Sequence, residues 1–101
     1  MKKKFKQPVC SGYGIFCPTV FQGTMPACYE EDYPVVFATE VEAQREIADN
    51  QLIRIQQFLD GERDFDDAIV TDEFVLPVDV WPDGRISIKD GRTYGKQEDY
   101  L

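Results

Sequence analysis

Seven carboxylates, Asp60, Glu62, Asp64, Asp66, Asp67, Asp72 and Glu73, fall within fourteen residues that hold a single basic side chain, Arg63. Such a run can hold a divalent cation, supply paired acid–base groups, or present negative charge to a basic partner. An EF-hand loop needs glycine at its sixth place and glutamate at its twelfth, and counting from Asp60 these are Phe65 and Thr71, so that pattern fails. Glycosidase-type chemistry needs two carboxylates about 5–10 Å apart across a cleft, for which a small domain leaves little room. The chain has no histidine, so acid–base work near neutral pH would fall to a strongly shifted Asp or Glu, or to Lys, Tyr or Cys. Binding is the remaining use. Phe65 and Ala68-Ile69-Val70 lie between the charges as apolar anchors, and Glu30-Glu31-Asp32 offers a second acidic patch. The partner-binding residues are accordingly read as Asp60, Glu62, Asp64, Phe65, Asp66, Asp67, Asp72 and Glu73, docking on a basic protein. The alternative from the same carboxylates is a divalent-cation or small-ligand binder.

Cys10, Cys17 and Cys28 are odd in number and lack the close pairs of a structural zinc site. A nucleophilic cysteine needs a base or an electropositive setting, and the acidic surroundings work against one. They read as reduced, partly buried thiols. Tyr13, Phe16, Phe21, Tyr29 and Tyr33 could stack on single-stranded nucleic acid, but no basic groove accompanies them, so they read as cover for the sheet and core. No catalytic residue, metal ligand or cofactor is assigned, and the expectation is a protein that is not an enzyme.

The net charge of −8 conceals an asymmetry, because Lys2, Lys3, Lys4 and Lys6 leave residues 7–101 with 7 basic and 19 acidic groups. That body repels nucleic acid directly. Residues 1–8 read as a flexible basic leader without the apolar stretch of a secretory signal, and no segment approaches a membrane span. The expected location is cytoplasmic, without membrane contact. A length of 101 residues with 43% apolar and 13% aromatic content fits one globular domain, placed at residues 9–94, with a loose tail over 95–101.

The elements that must position these residues emerge from periodicity. Tyr13, Ile15 and Cys17 alternate with Gly14 and Phe16 as a first strand, and Pro18 demotes the residues after it to an edge or loop. Gln22-Gly23-Thr24 reads as a turn, and Met25 to Asp32 carries no periodic signal. Pro34 to Ala38 reads as a second strand. Thr39 and Glu42 form a capping box for a helix from about Glu40 to Leu59, closed by Asp60-Gly61. Its stripe of Val41, Ala48, Leu52, Ile55 and Leu59, widened by Ile47 and Phe58, is expected to pack on the sheet. Phe74, Leu76, Val78 and Val80 alternate in a further strand, and Pro82-Asp83-Gly84 turns the chain into Ile86 and Ile88. Pairing Trp81 with Arg85 puts Val80 opposite Ile86 and Val78 opposite Ile88 on one face. From Thr93 the chain reads as polar. The fold class is α+β, a four-stranded, mainly antiparallel sheet in ββαββ order with one long helix on one face.

The stretch Pro34-Val-Val-Phe-Ala-Thr-Glu-Val-Glu-Ala-Gln-Arg-Glu-Ile, its continuation Phe58-Leu-Asp-Gly-Glu-Arg-Asp-Phe-Asp-Asp-Ala and the Pro82-Asp-Gly hairpin resemble small acidic orphan accessory proteins of bacteriophages and mobile elements. Some of these are anti-CRISPR or anti-restriction inhibitors. The resemblance covers residues 34–89 and leaves the Cys- and Gly-rich amino-terminal third aside. It implies a class of action, a short non-catalytic inhibitor of a nucleic-acid-handling protein, and carries over no functional residue. A structural module that self-associates, including as a homodimer, is the further alternative.

Overall fold

The computed structural model describes residues 7–96. In chain order its elements are β1 (Cys10–Thr19), β2 (Gly23–Pro26), β3 (Tyr29–Glu30), β4 (Tyr33–Pro34), α1 (Glu40–Leu59), α2 (Phe65–Ile69), β5 (Phe74–Val80), β6 (Ile86–Ser87) and β7 (Thr93–Tyr94). β1 is the hub. It pairs antiparallel with β5 from Cys10↔Val80 to Phe16↔Phe74, and with β2 from Phe16↔Pro26 to Thr19↔Gly23. Pro18 lies two residues past the last pair with β5, where β1 has become an edge that tolerates a missing N–H. The sheet order is β2-β1-β5-β6-β7, all antiparallel.

The two outer strands approach one another. The Tyr94 hydroxyl on β7 donates to the Thr24 carbonyl on β2 at 2.7 Å, curling the sheet almost into a barrel. Inside lie Phe16, Val78, Ile86 and Tyr94, with the Phe16 and Tyr94 rings 5.5 Å apart, and Met25, Val36, Leu76, Val80 and Ile88 around them. Because side chains alternate along a strand, Ile15 points away from this cluster, and it is buried on the face where α1 packs across β1 and β5.

The sheet differs from the expected four-stranded ββαββ arrangement. It has five strands, and a separate two-stranded sheet, β3 with β4, stands apart. Within residues 34–38 only Pro34 and Phe37 pair: Pro34 with Tyr29, and Phe37 with Tyr13 as an isolated bridge. The run is apolar because Pro34 is buried and Val36 packs against the core, without belonging to a central strand. Thr93 and Tyr94, read as polar tail, form β7, too short to show a period yet supplying a core ring. The leader expected over 1–8 and the tail expected over 95–101 lie for the most part outside the described residues.

The hairpin register is as expected. Val80 pairs with Ile86, and the Trp81 amide donates to the Arg85 carbonyl at 2.9 Å. α1 has the expected bounds and caps. The Glu42 amide donates to Thr39 Oγ1 at 3.1 Å, and Glu42 Oε1 accepts from the Thr39 and Ala38 amides. At its end the Glu62 and Gly61 amides reach Gln57 and Phe58 carbonyls, with Gly61 at φ +83°, a Schellman closure.

The face of α1 is reversed from expectation. Its one fully buried residue is Ala43, and Glu46, Ile47, Asn50, Gln51 and Arg54 are half-buried beside it. Val41, Leu52 and Leu59, expected to meet the sheet, are 56%, 62% and 68% exposed, Ala48 is exposed, and Ile55 is half-buried. Small Ala43 permits close approach, while Gln51 and Arg54 beside it have backbone partners that the sequence does not reveal.

Candidate protein-binding surface

Those backbone partners belong to the acidic segment. α2 is one turn long, so its last carbonyls have no partner within the helix. Gln51 Nε2 donates to the Ile69 carbonyl at 2.7 Å and to that of Ala68 at 3.4 Å, and Arg54 Nη2 reaches the Val70 carbonyl at 3.5 Å. Gln57 Oε1 accepts from Arg63 Nε at 2.7 Å, and Arg63 Nη1 donates to Asp67 at 2.6 Å. Ala68 is buried at the contact between the helices. Three polar side chains of α1 thus fasten a segment that would otherwise be a solvated loop.

On this frame Asp60 closes α1 and accepts from Gln56 Nε2 at 3.0 Å. Asp64 is the N-cap of α2 without a side-chain capping bond, and Asp66 and Asp67 occupy its first turn. Glu62, Asp64, Asp66 and Asp67 are exposed, and within residues 60–73 the ion pair is Arg63–Asp67. Gly61, Glu62, Arg63, Asp64 and Asp67 line a shallow cleft of about 500 Å³. Phe65 stands half-exposed with its ring edge-on to Phe58 at 5.3 Å, and Leu59, Ile69 and Val70 are exposed nearby. Six of the eight sequence-assigned residues, Asp60, Glu62, Asp64, Phe65, Asp66 and Asp67, therefore share one corner.

Asp72 and Glu73 do not share it. Asp72 is exposed near Cys17, and Glu73 is half-buried just before β5 with Oε1 shielded from water and without a hydrogen-bond partner. Burial pushes the Cys17 and Cys28 thiols above the ordinary value of 9.0, and the negative charge of Glu73 adds to the effect in both. These shifts disfavour the thiolate at both positions. Cys10 is exposed. Among the described residues no three of His, Cys, Asp and Glu converge in a metal-holding group. Glu31 and Asp32 of the second acidic patch form the β3–β4 turn, both at positive φ.

The aromatics divide. Phe16 is core, Tyr13, Tyr29 and Tyr33 are half-buried, and Phe21 is 96% exposed beside Val20 at the β1–β2 turn. Gln51, Arg54 and Gln57 had no sequence signal beyond being polar on a helix. Among the described residues no helix is long and apolar enough to cross a membrane. No protein-family model matches the chain, and neither the curated proteins nor the solved structures include a significant match.

Proposed function

We propose that this chain is a non-enzymatic protein-binding or inhibitor module whose acidic corner, Asp60 to Asp67, docks on a basic surface of a nucleic-acid-handling protein. The observation that carries the reading is the half-exposed Phe65, edge-on to Phe58, ringed by carboxylates on a segment fastened by Gln51, Arg54 and Gln57. Charge of one sign speeds association and excludes wrong partners, while a central aromatic supplies affinity once water is expelled. Fastening lowers the ordering cost that a mobile acidic loop would incur on binding. The resemblance of residues 34–89 to phage and mobile-element accessory proteins supports the class of action, a short non-catalytic inhibitor, and names no target.

The test is capture of partners from bacterial lysate with stepwise salt elution, repeated with Asp64, Asp66 and Asp67 changed together to Asn. The expected outcome is one basic protein that leaves at moderate salt and is lost by the triple variant. The variant should keep its fold, since an exposed ion pair such as Arg63–Asp67 contributes about 0–1 kcal/mol. Retained binding by a folded triple variant would sink the reading.

A further inference from the structure

A second cleft, sharing no residue with the acidic corner, lies at the hairpin end of the sheet. Trp81, Pro82, Asp83, Arg85 and Thr93 line about 380 Å³ of mostly apolar surface. Ile86 and Tyr94 belong to the core, so Arg85, Ser87 and Thr93 alternate to the outer face. The Trp81 indole reaches across that face, its Nε1 donating to Ser87 Oγ at 2.9 Å. With the N–H so engaged, the ring offers a partner its apolar face. Arg85 stands on the rim, half-exposed and 3.4 Å from the Asp83 carboxylate.

The chain itself supplies a fitting occupant. β7 pairs with β6 at Ser87↔Thr93 and Ile86↔Tyr94, and the same antiparallel step directs Gly95 and Lys96 past Arg85 and Gly84. The described residues thus end at the mouth of the cleft. Next in the sequence come Gln97, Glu98, Asp99, Tyr100 and Leu101, two carboxylates followed by two large apolar side chains. We propose that residues 97–101 dock in this cleft, Tyr100 and Leu101 covering the Trp81 ring and Pro82 while Glu98 and Asp99 face Arg85.

Reach and charge select this segment. Five residues span up to about 17 Å, enough to turn at the hairpin end and return over the ring. The basic leader is the competing segment, because the Val9 amide donates to the Val80 carbonyl at 2.6 Å, at the same end of the sheet. Its lysines would bring like charge to Arg85, whereas Glu98 and Asp99 bring the opposite charge. The small contact area suffices because a tether of a few residues holds the segment at an effective concentration on the order of millimolar. A contact too weak to join separate molecules is populated within one chain.

Trp81 is the chain's one tryptophan, so its fluorescence reports on the cleft directly. In the full chain, Tyr100→Ser with Leu101→Ser should shift the emission to the red and increase quenching by acrylamide, with circular dichroism unchanged. A blocked Gln-Glu-Asp-Tyr-Leu peptide at millimolar concentration should restore protection to that variant and add none to the parent chain. Arg85→Glu should increase quenching in the same way, and adding Glu98→Lys with Asp99→Lys should reverse it. Quenching of the Tyr100, Leu101 double variant equal to that of the parent overturns the proposal. So does loss of protection on dilution, which would make a second copy the occupant, or on Phe5→Ser, which would assign the cleft to the leader.

Discussion

The sheet and the helical layer of this protein handle their apolar residues in opposite ways. The curled sheet takes Phe16, Val78, Ile86 and Tyr94 almost wholly out of water and latches its two edges with a tyrosine hydroxyl. The helical layer fully buries only alanines, Ala43 in α1 and Ala68 in α2, and turns Val41, Leu52, Leu59, Phe65 and Val70 outward. Apolar surface removed from water stabilises a fold, and apolar surface left in water waits for something else to cover it. The buried apolar core of the domain thus lies in the sheet, whereas the helices leave most of their larger apolar side chains outward.

The contrast can be broken by substitution. Phe16→Ala should cost about 3–5 kcal/mol in denaturant unfolding, because it empties the best-packed site and removes the ring beside Tyr94. Leu52→Ala should change stability by less than about 0.5–1 kcal/mol despite the larger expectation for a leucine on a helix stripe. Equal costs would abolish the distinction. Gly12→Ala should cost about 1–3 kcal/mol, since a Cβ there would stand 2.6 Å from the Phe37 carbonyl oxygen and equally close to Val36 Cγ1. Tyr94→Phe should cost about 1 kcal/mol by unlatching the sheet edges without emptying the core, again by denaturant unfolding.

The smallest effect comes from two partly buried thiols. Cys17 and Cys28 have folded-state pKa values raised chiefly by burial, so the unfolded chain releases these protons first. Their linkage leaves stability untouched below the unfolded-state value and lowers it as pH rises through about 9 towards the folded value. A denaturant midpoint followed from pH 7 to about 10 should decline at the alkaline end. The decline should shrink in a Cys17→Ser, Cys28→Ser double variant.

Legibility in the sequence divides along the same line. The α1 caps are written in neighbouring residues, Thr39 with Glu42 and Asp60 with Gly61, and a local pattern finds them. The Val80–Ile86 register is likewise set by its turn. β7 escapes because two residues hold no period, and β3–β4 because a turn through Glu31 and Asp32 at positive φ lacks the usual glycine or asparagine. The stripe on α1 is legible as a face in need of cover, but periodicity does not say what covers it. Charge density marks the acidic corner plainly. It does not distinguish Asp64 on the corner from half-buried Glu73 beside β5, and it is silent on Gln51 and Arg54, whose partners are carbonyls 16–18 residues away.

The central place of β1 bears on how the chain is made. Cys10 pairs with Val80, and Tyr94 must reach back to Thr24, so β1 is made well before its main partner β5. At 5–20 residues per second that interval is about 4–14 seconds. During it α1 can form, being local and capped at both ends, while Phe16 and Ile15 wait in water. Closure of so many distant pairs is slow compared with helix formation. Until β5 has been made, the β1 side chains destined for the core lack their cover, and the residues ahead of Glu30 carry four lysines and no carboxylate.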